Sequence, residues 1–380
     1  MTDDRALLRH LFDSAVAAAS PAACMPPWLD EKPAGRVIVV GAGKAAASMA
    51  LLVEQQWGPP LDGLVIVPDS HGAACEYIEV VEASHPVPDE RGVAATRRIL
   101  ERVSGLSPAD TVVCLLSGGG SSLLCAPAPG VTLEEKRART TELLKSGAAI
   151  HEINAKRRSL SAVKGGKLAE ACAPARVITL IISDVPGNDP SVVASGPTVT
   201  DAVAARDADV RILATSDDAL QAAALRAMEL DVTPYLLGDL AGDARALAES
   251  HAGLAIDIAA GRGPVQLPCV ILSGGETTVH VTGKGRGGRN GEYGLALAIS
   301  LHGHEGISAI ACDTDGIDGG GDNAGCFVMP DTLARFDGDA REAQAANDSY
   351  GFFAALDDLV FTGPTRTNVN DFRAILIRQV

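Results

Sequence analysis

The chain has 380 residues, enough for two or three domains and for a large buried core. Its formal net charge of −16 disfavours non-specific attraction to nucleic acid or to an anionic membrane surface, so an anionic ligand has to meet a local cluster of cations. No stretch approaches the ~20 consecutive apolar residues of a membrane-spanning helix and the N-terminus is too charged for a secretory signal, so we expect a cytoplasmic protein.

The first half of the chain alternates short β-branched runs with longer Ala- and Leu-rich segments. A leading helix over residues 4–19 and a proline-rich linker come first. Strands are then predicted at 37–40, 63–67, 77–83, 111–117 and 175–185, with helices at 90–103 and 133–149. This alternation predicts a Rossmann-like, mostly parallel sheet with helices on both faces.

The pattern restarts after residue 200. Strands are predicted at 210–216, 233–238, 268–275, 276–283 and 307–316, with helices at 217–230, 242–251 and 291–302. We therefore predict two α/β domains, an N-terminal one over residues 1–205 that includes the leading helix and a C-terminal one over residues 206–380.

The stretch "VGAGKAA" joins the first predicted strand to a helix through Gly41 and Gly43. Such a turn brings free N–H groups of a helix N-terminus to a phosphate. A dinucleotide-binding turn stays open, with Asp69 after the next strand as its acidic residue. Lys44 favours a phosphate site, because the helix dipole disfavours a cation in the first turn unless an anion is bound there.

A second junction, "LLSGGGSSLLCAP", places three glycines and two serines before a helix. The glycines free the backbone to wrap an oxyanion, and the serines cap the helix or donate hydroxyls. The stretch is neither a Walker loop nor a nucleophile elbow, since Leu123 stands where G-x-S-x-G needs its closing glycine. We predict a phosphate cradle from Ser117, Gly118, Gly119, Gly120, Ser121 and Ser122.

Two further stretches are basic. Residues 151–171 concentrate cations at Lys156, Arg157, Arg158, Lys164 and Lys167, and a helix face paired with surface carboxylates stays open as the alternative. The glycine-rich "GKGRGGRNGE" loop leads into a helix, and it predicts a mobile cationic lid for an anion. Its cations are Lys284, Arg286 and Arg289.

Two acidic stretches follow predicted strands. "SDVPGNDP" carries Asp184 and Asp189, and "ACDTDGIDGGGDN" carries Asp313, Asp315, Asp318 and Asp322. Carboxylates at the carboxyl end of a parallel strand lie where open α/β sheets bind ligands, and their oxygens suit Mg²⁺. We predict Asp189 and Asp315 as magnesium ligands, or as groups that activate a hydroxyl, and a solvated acidic turn stays open.

In their order along the chain, these blocks resemble the class II glycerate 2-kinases, the MOFRL-type or glycerate kinase/hydroxypyruvate reductase-like family. The resemblance runs from "VGAGKAA" through "LSGGGSSLL", "LSAVKGGKLA", "ISDVPGNDPSVVASGPT", "LSGGETTVHV", "GKGRGGRNGE" and "DTDGIDG" to "TGPTRTNVNDF". Two departures are visible: Asn188 stands where "PGDDP" has an aspartate, and Gly291 where "GGRNQE" has a glutamine.

The resemblance implies two α/β domains with the active site in the cleft between them. It implies phosphorylation of the 2-hydroxyl of D-glycerate with ATP and Mg²⁺, with Lys44 and Arg289 at positions regarded as catalytic. We add Asp189 to the catalytic residues. We assign Gly41, Gly43, residues 117–122, Lys284 and Arg286 to nucleotide or substrate binding.

Two other functions stay open at this point. One is an NAD(P)H-dependent hydroxypyruvate reductase, which the loose dinucleotide pattern and Asp69 would serve. The other is a nucleotide- or metabolite-binding protein without turnover. For all three functions we expect small-molecule ligands and no nucleic-acid or membrane partner, and a homodimer stays open.

Overall fold

The computed structural model describes residues 3–145, 156–199 and 209–380. By its internal contacts the chain divides into two units. The N-terminal unit comprises residues 20–215 and 366–368, and the C-terminal unit comprises residues up to Ala19, 216–365 and 369–380. The predicted domain boundary near residue 205 and the end of the helix predicted at 133–149 lie outside the described residues.

The leading helix α1 (Asp4–Ala18) belongs to the C-terminal unit, whereas the sequence prediction grouped it with residues 1–205. Asp3 caps the helix, since its side chain accepts a hydrogen bond from the Arg5 amide. One face is buried, and on it the Phe12 ring lies 5.8 Å from that of Phe372. The apolar face of the helix predicts that the helix is buried, and the contact with Phe372 shows that it packs against the C-terminal unit.

The N-terminal unit contains a six-stranded, all-parallel sheet in the order β3-β2-β1-β4-β5-β6. Its strands are β1 Val37–Ala42, β2 Asp62–Pro68, β3 Ile78–Ala83, β4 Thr111–Leu116, β5 Arg176–Ile182 and β6 Asp209–Ala214. Every residue of the two central strands β1 and β4 is buried, as continuous apolar runs in a covered parallel sheet require. The predicted parallel α/β fold of this region is confirmed.

Helices flank this sheet and connect its strands. They are α2 Pro21–Cys24, α3 Ala46–Trp57, α4 Glu90–Arg102, α5 Gly120–Leu123, α6 Leu133–Lys145 and α7 Lys167–Cys172, with 3₁₀ turns at Pro26–Trp28, Pro186–Asn188 and Val193–Ser195. Strand β6, which the sequence prediction placed in the second domain, completes the edge of this first sheet.

The C-terminal unit contains a six-stranded mixed sheet in the order β13-β12-β11-β14-β9-β7. Its strands are β7 Thr233–Asp239, β9 Cys269–Gly274, β11 Ile307–Asp313, β12 Gly325–Val328, β13 Leu359–Val360 and β14 Asp371–Ile377. Strand β14 lies antiparallel to both β9 and β11, while β7 lies parallel to β9. A small parallel pair, β8 Gly242–Asp243 with β10 Thr277–Thr278, stands apart from the sheet.

The helices of this unit are α8 Ser216–Glu229, α9 Ala244–Ala259, α10 Arg289–Leu301, α11 Thr332–Arg335, α12 Ala340–Ala345 and α13 Ser349–Ala355. The strand predicted over 276–283 is reduced to β10. The physical reason is that the Thr282 and Gly283 amides donate to the Asn347 side-chain oxygen, at 2.9 and 2.8 Å, instead of to a strand. None of the helices in the described residues is long and apolar enough to cross a membrane.

Candidate functional site

The turn after β1 and the loop after β4 are joined by hydrogen bonds at the carboxyl edge of the parallel sheet. The Lys44 amide donates to the Gly118 carbonyl at 2.9 Å, and the Ala45 amide donates to Ser117 Oγ at 2.9 Å. Gly43 has a φ of 136°, and a Cβ there would lie 2.2 Å from Ser117 Oγ. The structure therefore brings together two sequence-predicted motifs that are more than seventy residues apart.

The loop after β4 packs closely against neighbouring polar groups. A Cβ on Gly118 would lie 2.1 Å from Asn368 Nδ2 and 2.2 Å from Asp184 Oδ2, and these two atoms are themselves hydrogen-bonded at 3.0 Å. Gly119 has a φ of 79°. Gly41, in contrast, lies inside β1, where a Cβ would lie 2.1 Å from the Leu115 carbonyl, so its role is close strand packing.

Beside this loop is a cavity of about 240 Å³ within the N-terminal unit, which we call the cation pocket. Its polar lining comes from His85, Ser121, Ser122, Lys136, Arg137, Arg157 and Lys164. The two serines of the predicted phosphate cradle thus face basic side chains from three other segments of the chain.

The serines are fixed by those neighbours. Ser121 Oγ lies 2.9 Å from Ser195 Oγ and accepts a hydrogen bond from Lys164 Nζ at 2.5 Å. Ser122 Oγ lies 2.7 Å from His85 Nδ1 and donates to the Gly119 carbonyl at 3.0 Å. Their hydroxyls therefore stand at defined positions on the pocket wall.

Burial and like charge tune the titratable groups here. Burial, and the nearby charges of Lys44 and His71, lower the pKa of His85 to about 4, so its ring is neutral at neutral pH. Burial, with Lys136 and Arg157 nearby, holds the pKa of Lys164 well below its usual value. Perturbed basic groups concentrated around one cavity are typical of a functional site.

Two predicted acidic residues of this unit lie at the surface. Asp189 is exposed, and its Oδ1 accepts a hydrogen bond from the Ser191 amide at 2.8 Å. Asp69 is exposed and pairs with both terminal nitrogens of Arg91, at 2.7 and 2.9 Å. The carboxylate that a dinucleotide ribose would need is therefore already engaged.

In the C-terminal unit, Arg289 opens helix α10 and is surrounded by carboxylates. Its Nε donates to Asp371 Oδ1 at 2.8 Å, its Nη1 to Glu276 Oε1 at 2.6 Å and its Nη2 to Asp313 Oδ2 at 2.9 Å. Although burial opposes the charge, the carboxylates of Asp371, Asp313 and Glu276 raise the pKa of Arg289. This cation is held rigidly and its charge is neutralised.

Further acidic side chains are buried around the start of α10. Burial raises the pKa of Asp318 to about 6, even though its oxygens accept from the Asn290 and Gly291 amides at 2.9 and 2.8 Å. Asp315 is buried, and its Oδ1 accepts from the Ile317 amide at 2.7 Å. The glycine at 291 also has a packing reason, because a Cβ there would lie 2.5 Å from Ser349 Oγ.

The other two cations of the predicted lid differ from each other. Lys284 is exposed on the glycine-rich loop. Arg286 stacks over the Tyr350 ring, 3.7 Å from its centroid, and pairs with Asp322 at 3.0 Å. Arg286 is thus engaged by an aromatic face and a carboxylate of its own unit.

The acidic residues can be tested for magnesium chemistry. Within the described residues, no group of three or more His, Cys, Asp or Glu side chains is arranged to hold a metal ion. Mg²⁺ is usually held by one or two carboxylates together with substrate phosphates and water, so such a cluster is not required. Asp189 is an exposed residue whose hydrogen bond to the Ser191 amide uses Oδ1, so its carboxylate fits this demand.

Sequence reasoning missed several residues of these two clusters. His85 follows the end of strand β3 by two residues, so it lies at the carboxyl edge of the sheet. The end of the predicted strand could have indicated this position. Lys136 and Arg137 lie on a charged helix that gives no such signal. Asp371 begins the last strand, and its pairing with Arg289 depends on a contact across 82 positions.

Two family models together match most of the chain. Residues 7–229 match the family described as "Domain of unknown function (DUF4147)", and residues 269–371 match the "MOFRL family". A Thermotoga maritima protein named D-glycerate 2-kinase is 38% identical, with 95% of each chain covered. An Agrobacterium vitis protein with a hydroxypyruvate reductase name is 47% identical, covering 98% of this chain and 94% of that protein.

A solved structure is similar over almost the whole chain. The crystal structure of a glycerate kinase from Thermotoga maritima superposes with a TM-score of 0.89 at 35% identity, and 98% of each chain is covered.

Proposed function

Because the chain belongs to the MOFRL-type glycerate kinase family, we propose that it transfers the γ-phosphoryl group of ATP to the 2-hydroxyl of D-glycerate. The protein is a kinase, and relatives named glycerate kinase match nearly its full length. The 2-hydroxyl is proposed because the Thermotoga maritima relative is named for it. In the reaction the hydroxyl oxygen bonds to the γ-phosphorus, the bond from that phosphorus to the ADP oxygen breaks, and the hydroxyl proton is released.

The observation that carries the proposal is the pair of hydrogen bonds that join the Lys44 turn to the Gly118 loop. Phosphoryl transfer depends on positioning and on charge neutralisation more than on covalent chemistry. A lysine whose backbone is fixed beside glycines and a serine hydroxyl at the carboxyl edge of a parallel sheet would supply both. A dinucleotide pyrophosphate would be held mainly by backbone amides and would leave Lys44 without a required role.

We assign roles to the sequence-predicted residues as follows. Lys44 and Arg289 offset the charge that gathers on the transferring phosphoryl group, and Arg289 does so only after exchanging a carboxylate partner for the phosphoryl oxygens. The loop over 117–122 binds anionic oxygens of the substrates. Lys284 and Arg286 are assigned to the nucleotide phosphates, and Lys284 is the more exposed to ligand because Arg286 is paired.

Magnesium completes the proposed chemistry by neutralising phosphate charge and orienting the phosphates when it is bound. Asp189 would contribute Oδ2 to the ion, and Asp315 is the second carboxylate that we assign to it. The alternative role of the same Asp189 oxygen is to accept the hydroxyl proton, in which case Asp315 alone of the two would hold the ion.

The reductase alternative is weakened by Asp69. Its carboxylate, which would have to bind a ribose, is paired with Arg91 through two hydrogen bonds. The non-catalytic alternative gives no reason for a lysine and an arginine each fixed among polar groups in its own unit. The kinase therefore remains the proposed function, and the test below distinguishes it from both alternatives.

The test uses the purified full chain in two assays. The first follows ADP release with D-glycerate, ATP and Mg²⁺, with L-glycerate as the matched control. The second follows oxidation of NADH and of NADPH after addition of hydroxypyruvate. We expect ADP release that needs both D-glycerate and Mg²⁺, and no oxidation of either cofactor. Hydroxypyruvate-dependent oxidation without glycerate-dependent ADP release would replace the kinase with the reductase, and inactivity in both assays would favour the binding protein.

A further inference from the structure

The cation pocket is strongly basic in a strongly acidic protein. Lys136 and Lys164 are 4% and 2% exposed, and Arg137 and Arg157 reach the same cavity from other positions. Among the described residues that line the cavity, none is acidic. Four basic side chains and a histidine therefore surround a space of about 240 Å³ in a chain whose net charge is −16.

Three of these cations lack a carboxylate partner within the described chain. Lys164 Nζ donates to the carbonyl and the hydroxyl of Ser121, and Arg137 donates to the Pro88 carbonyl. The half-buried Arg157 guanidinium makes no hydrogen bond or ion pair to another described residue. In the C-terminal unit, by contrast, Arg289 is neutralised by three carboxylates. Uncompensated charge in a cavity favours an anionic ligand.

The size of the cavity limits that anion. Pockets for drug-sized ligands span roughly 300–1,000 Å³, and a whole nucleotide falls in that class of ligand. At about 240 Å³ the cation pocket is smaller, so it suits a compact acid of a few carbons. The hydroxyls of Ser121 and Ser122 and the neutral His85 ring add hydrogen-bonding groups for hydroxyls of such an acid.

The pocket also has an electrostatic link to Lys44, the phosphoryl-transfer residue proposed in the same unit. His85 lines the cavity and bonds to Ser122, and its ring is near enough to Lys44 to feel that charge. A ligand held here would therefore contact a histidine whose pKa the charge of Lys44 helps to lower.

We propose that the cation pocket is the acceptor site, in which Arg157, Arg137 and Lys164 bind the carboxylate of the small hydroxy acid that is phosphorylated. This inference rests on the proposed kinase function. It assigns residues that recognise the acceptor and separates them from those that bind the nucleotide.

The test compares Arg157→Gln with Lys156→Gln, which removes an exposed cation one position earlier that does not line the pocket. Calorimetry measures binding of D-glycerate and, separately, of Mg-ADP, and steady-state kinetics gives KM for D-glycerate and for ATP. Arg157→Gln is expected to weaken D-glycerate binding and raise its KM by about tenfold or more, the effect of losing one charge-assisted hydrogen bond. Lys156→Gln is expected to match the wild type.

Arg157→Lys retains a charge and is expected to recover part of the loss, which a purely structural defect would not do. A melting temperature close to that of the wild type confirms that each variant is folded. If Arg157→Gln weakens nucleotide binding instead, or changes neither ligand, the acceptor assignment is wrong while the kinase stands. If the wild type phosphorylates no D-glycerate, the proposed function fails, and calorimetry with D-glycerate still decides whether the pocket binds a hydroxy acid.

Discussion

The cation pocket and the Arg289 cluster are opposite electrostatic arrangements in one chain. In the N-terminal unit, Arg157 and Lys164 line a cavity without a carboxylate partner among the described residues. In the C-terminal unit, Arg289 is held by Asp371, Asp313 and Glu276. We propose that the first arrangement keeps positive charge for a ligand, whereas the second also compensates buried carboxylates, in addition to the role in phosphoryl transfer proposed for Arg289.

This difference separates function from stability in a way that substitutions can measure. An uncompensated cation raises the free energy of the folded protein until an anion binds. Its removal therefore lowers the affinity for the anion and changes the free energy of unfolding little. A cation that neutralises buried carboxylates leaves them uncompensated when it is removed. The same change, cation to alanine, is therefore expected to have different consequences in the two units.

The largest expected effect is on the stability of the C-terminal unit. Arg289→Ala takes this cation from Asp313 and Asp371, whose side chains are 7% and 0% exposed, and of the two Asp371 still pairs with Arg373. We expect the free energy of unfolding to fall by roughly 3 kcal/mol, in addition to a loss of activity. Urea denaturation measures it.

The control is Arg286→Ala, which breaks an exposed pair with Asp322 and is expected to cost about 1 kcal/mol or less. Equal losses in the two variants would contradict the structural role of Arg289.

The second effect is catalytic and is expected in the N-terminal unit. Lys44→Ala removes a cation from the proposed phosphoryl site, so kcat/KM is expected to fall by roughly a hundredfold or more. The melting temperature is expected to stay near that of the wild type, in contrast to Arg289→Ala. Initial rates with D-glycerate and ATP measure the change, and Lys156→Ala serves as the exposed control. Normal turnover would remove Lys44 from the mechanism.

A third substitution disturbs the backbone that presents Lys44. Gly43→Ala would place a Cβ 2.2 Å from Ser117 Oγ and 2.6 Å from its carbonyl, at a φ of 136°. We expect a loss of about 1–3 kcal/mol of stability together with reduced activity. Gly130→Ala is the matched control, because its φ is also positive, at 81°, but its Cβ would meet no atom within 4 Å. A larger loss at Gly130 would exclude the collision as the cause.

The smallest expected effect is a pH dependence. The pKa of His85 is lowered by burial to about 4, below its ordinary value of 6.5, so the unfolded chain takes up this proton first as pH falls. Stability from this residue is therefore complete above about pH 6.5 and is lost toward pH 4.

His85→Gln is expected to make the decline of the melting temperature between those pH values shallower. Burial lowers the pKa of His251 in the other unit to about 4 as well, so His251→Gln should act in the same direction. An unchanged slope in His85→Gln would show that the ring is not buried as a neutral group.

The sequence predicted the parallel sheet because its central strands are continuous apolar runs, a local property that burial on both faces requires. It predicted the Lys44 turn and the Gly118 loop for the same reason, since glycine spacing is local. The placement of α1 with the C-terminal unit was not predictable, because an apolar helix face does not identify its partner.

The cation pocket was predictable only in part. The basic run over 151–171 indicated a cluster, but within it Arg157 and Lys164 line the cavity, while Lys167 donates to the Ser161 and Arg158 carbonyls and Lys156 is exposed. Which cations line the cavity depends on where His85 and helix α6, far away in sequence, lie in the fold. The carboxylates around Arg289 come from three separate segments of the chain, so the sequence did not predict that they neutralise its charge.

The most direct test of the proposed function is the position of the phosphoryl group in the product. Purified protein is incubated with D-glycerate, ATP and Mg²⁺, and the product is examined by proton-coupled ³¹P NMR. Phosphorylation at the 2-hydroxyl predicts a doublet, because the phosphorus couples to the single proton on C2. A triplet from the two protons on C3, or no phosphorylated glycerate at all, would contradict it.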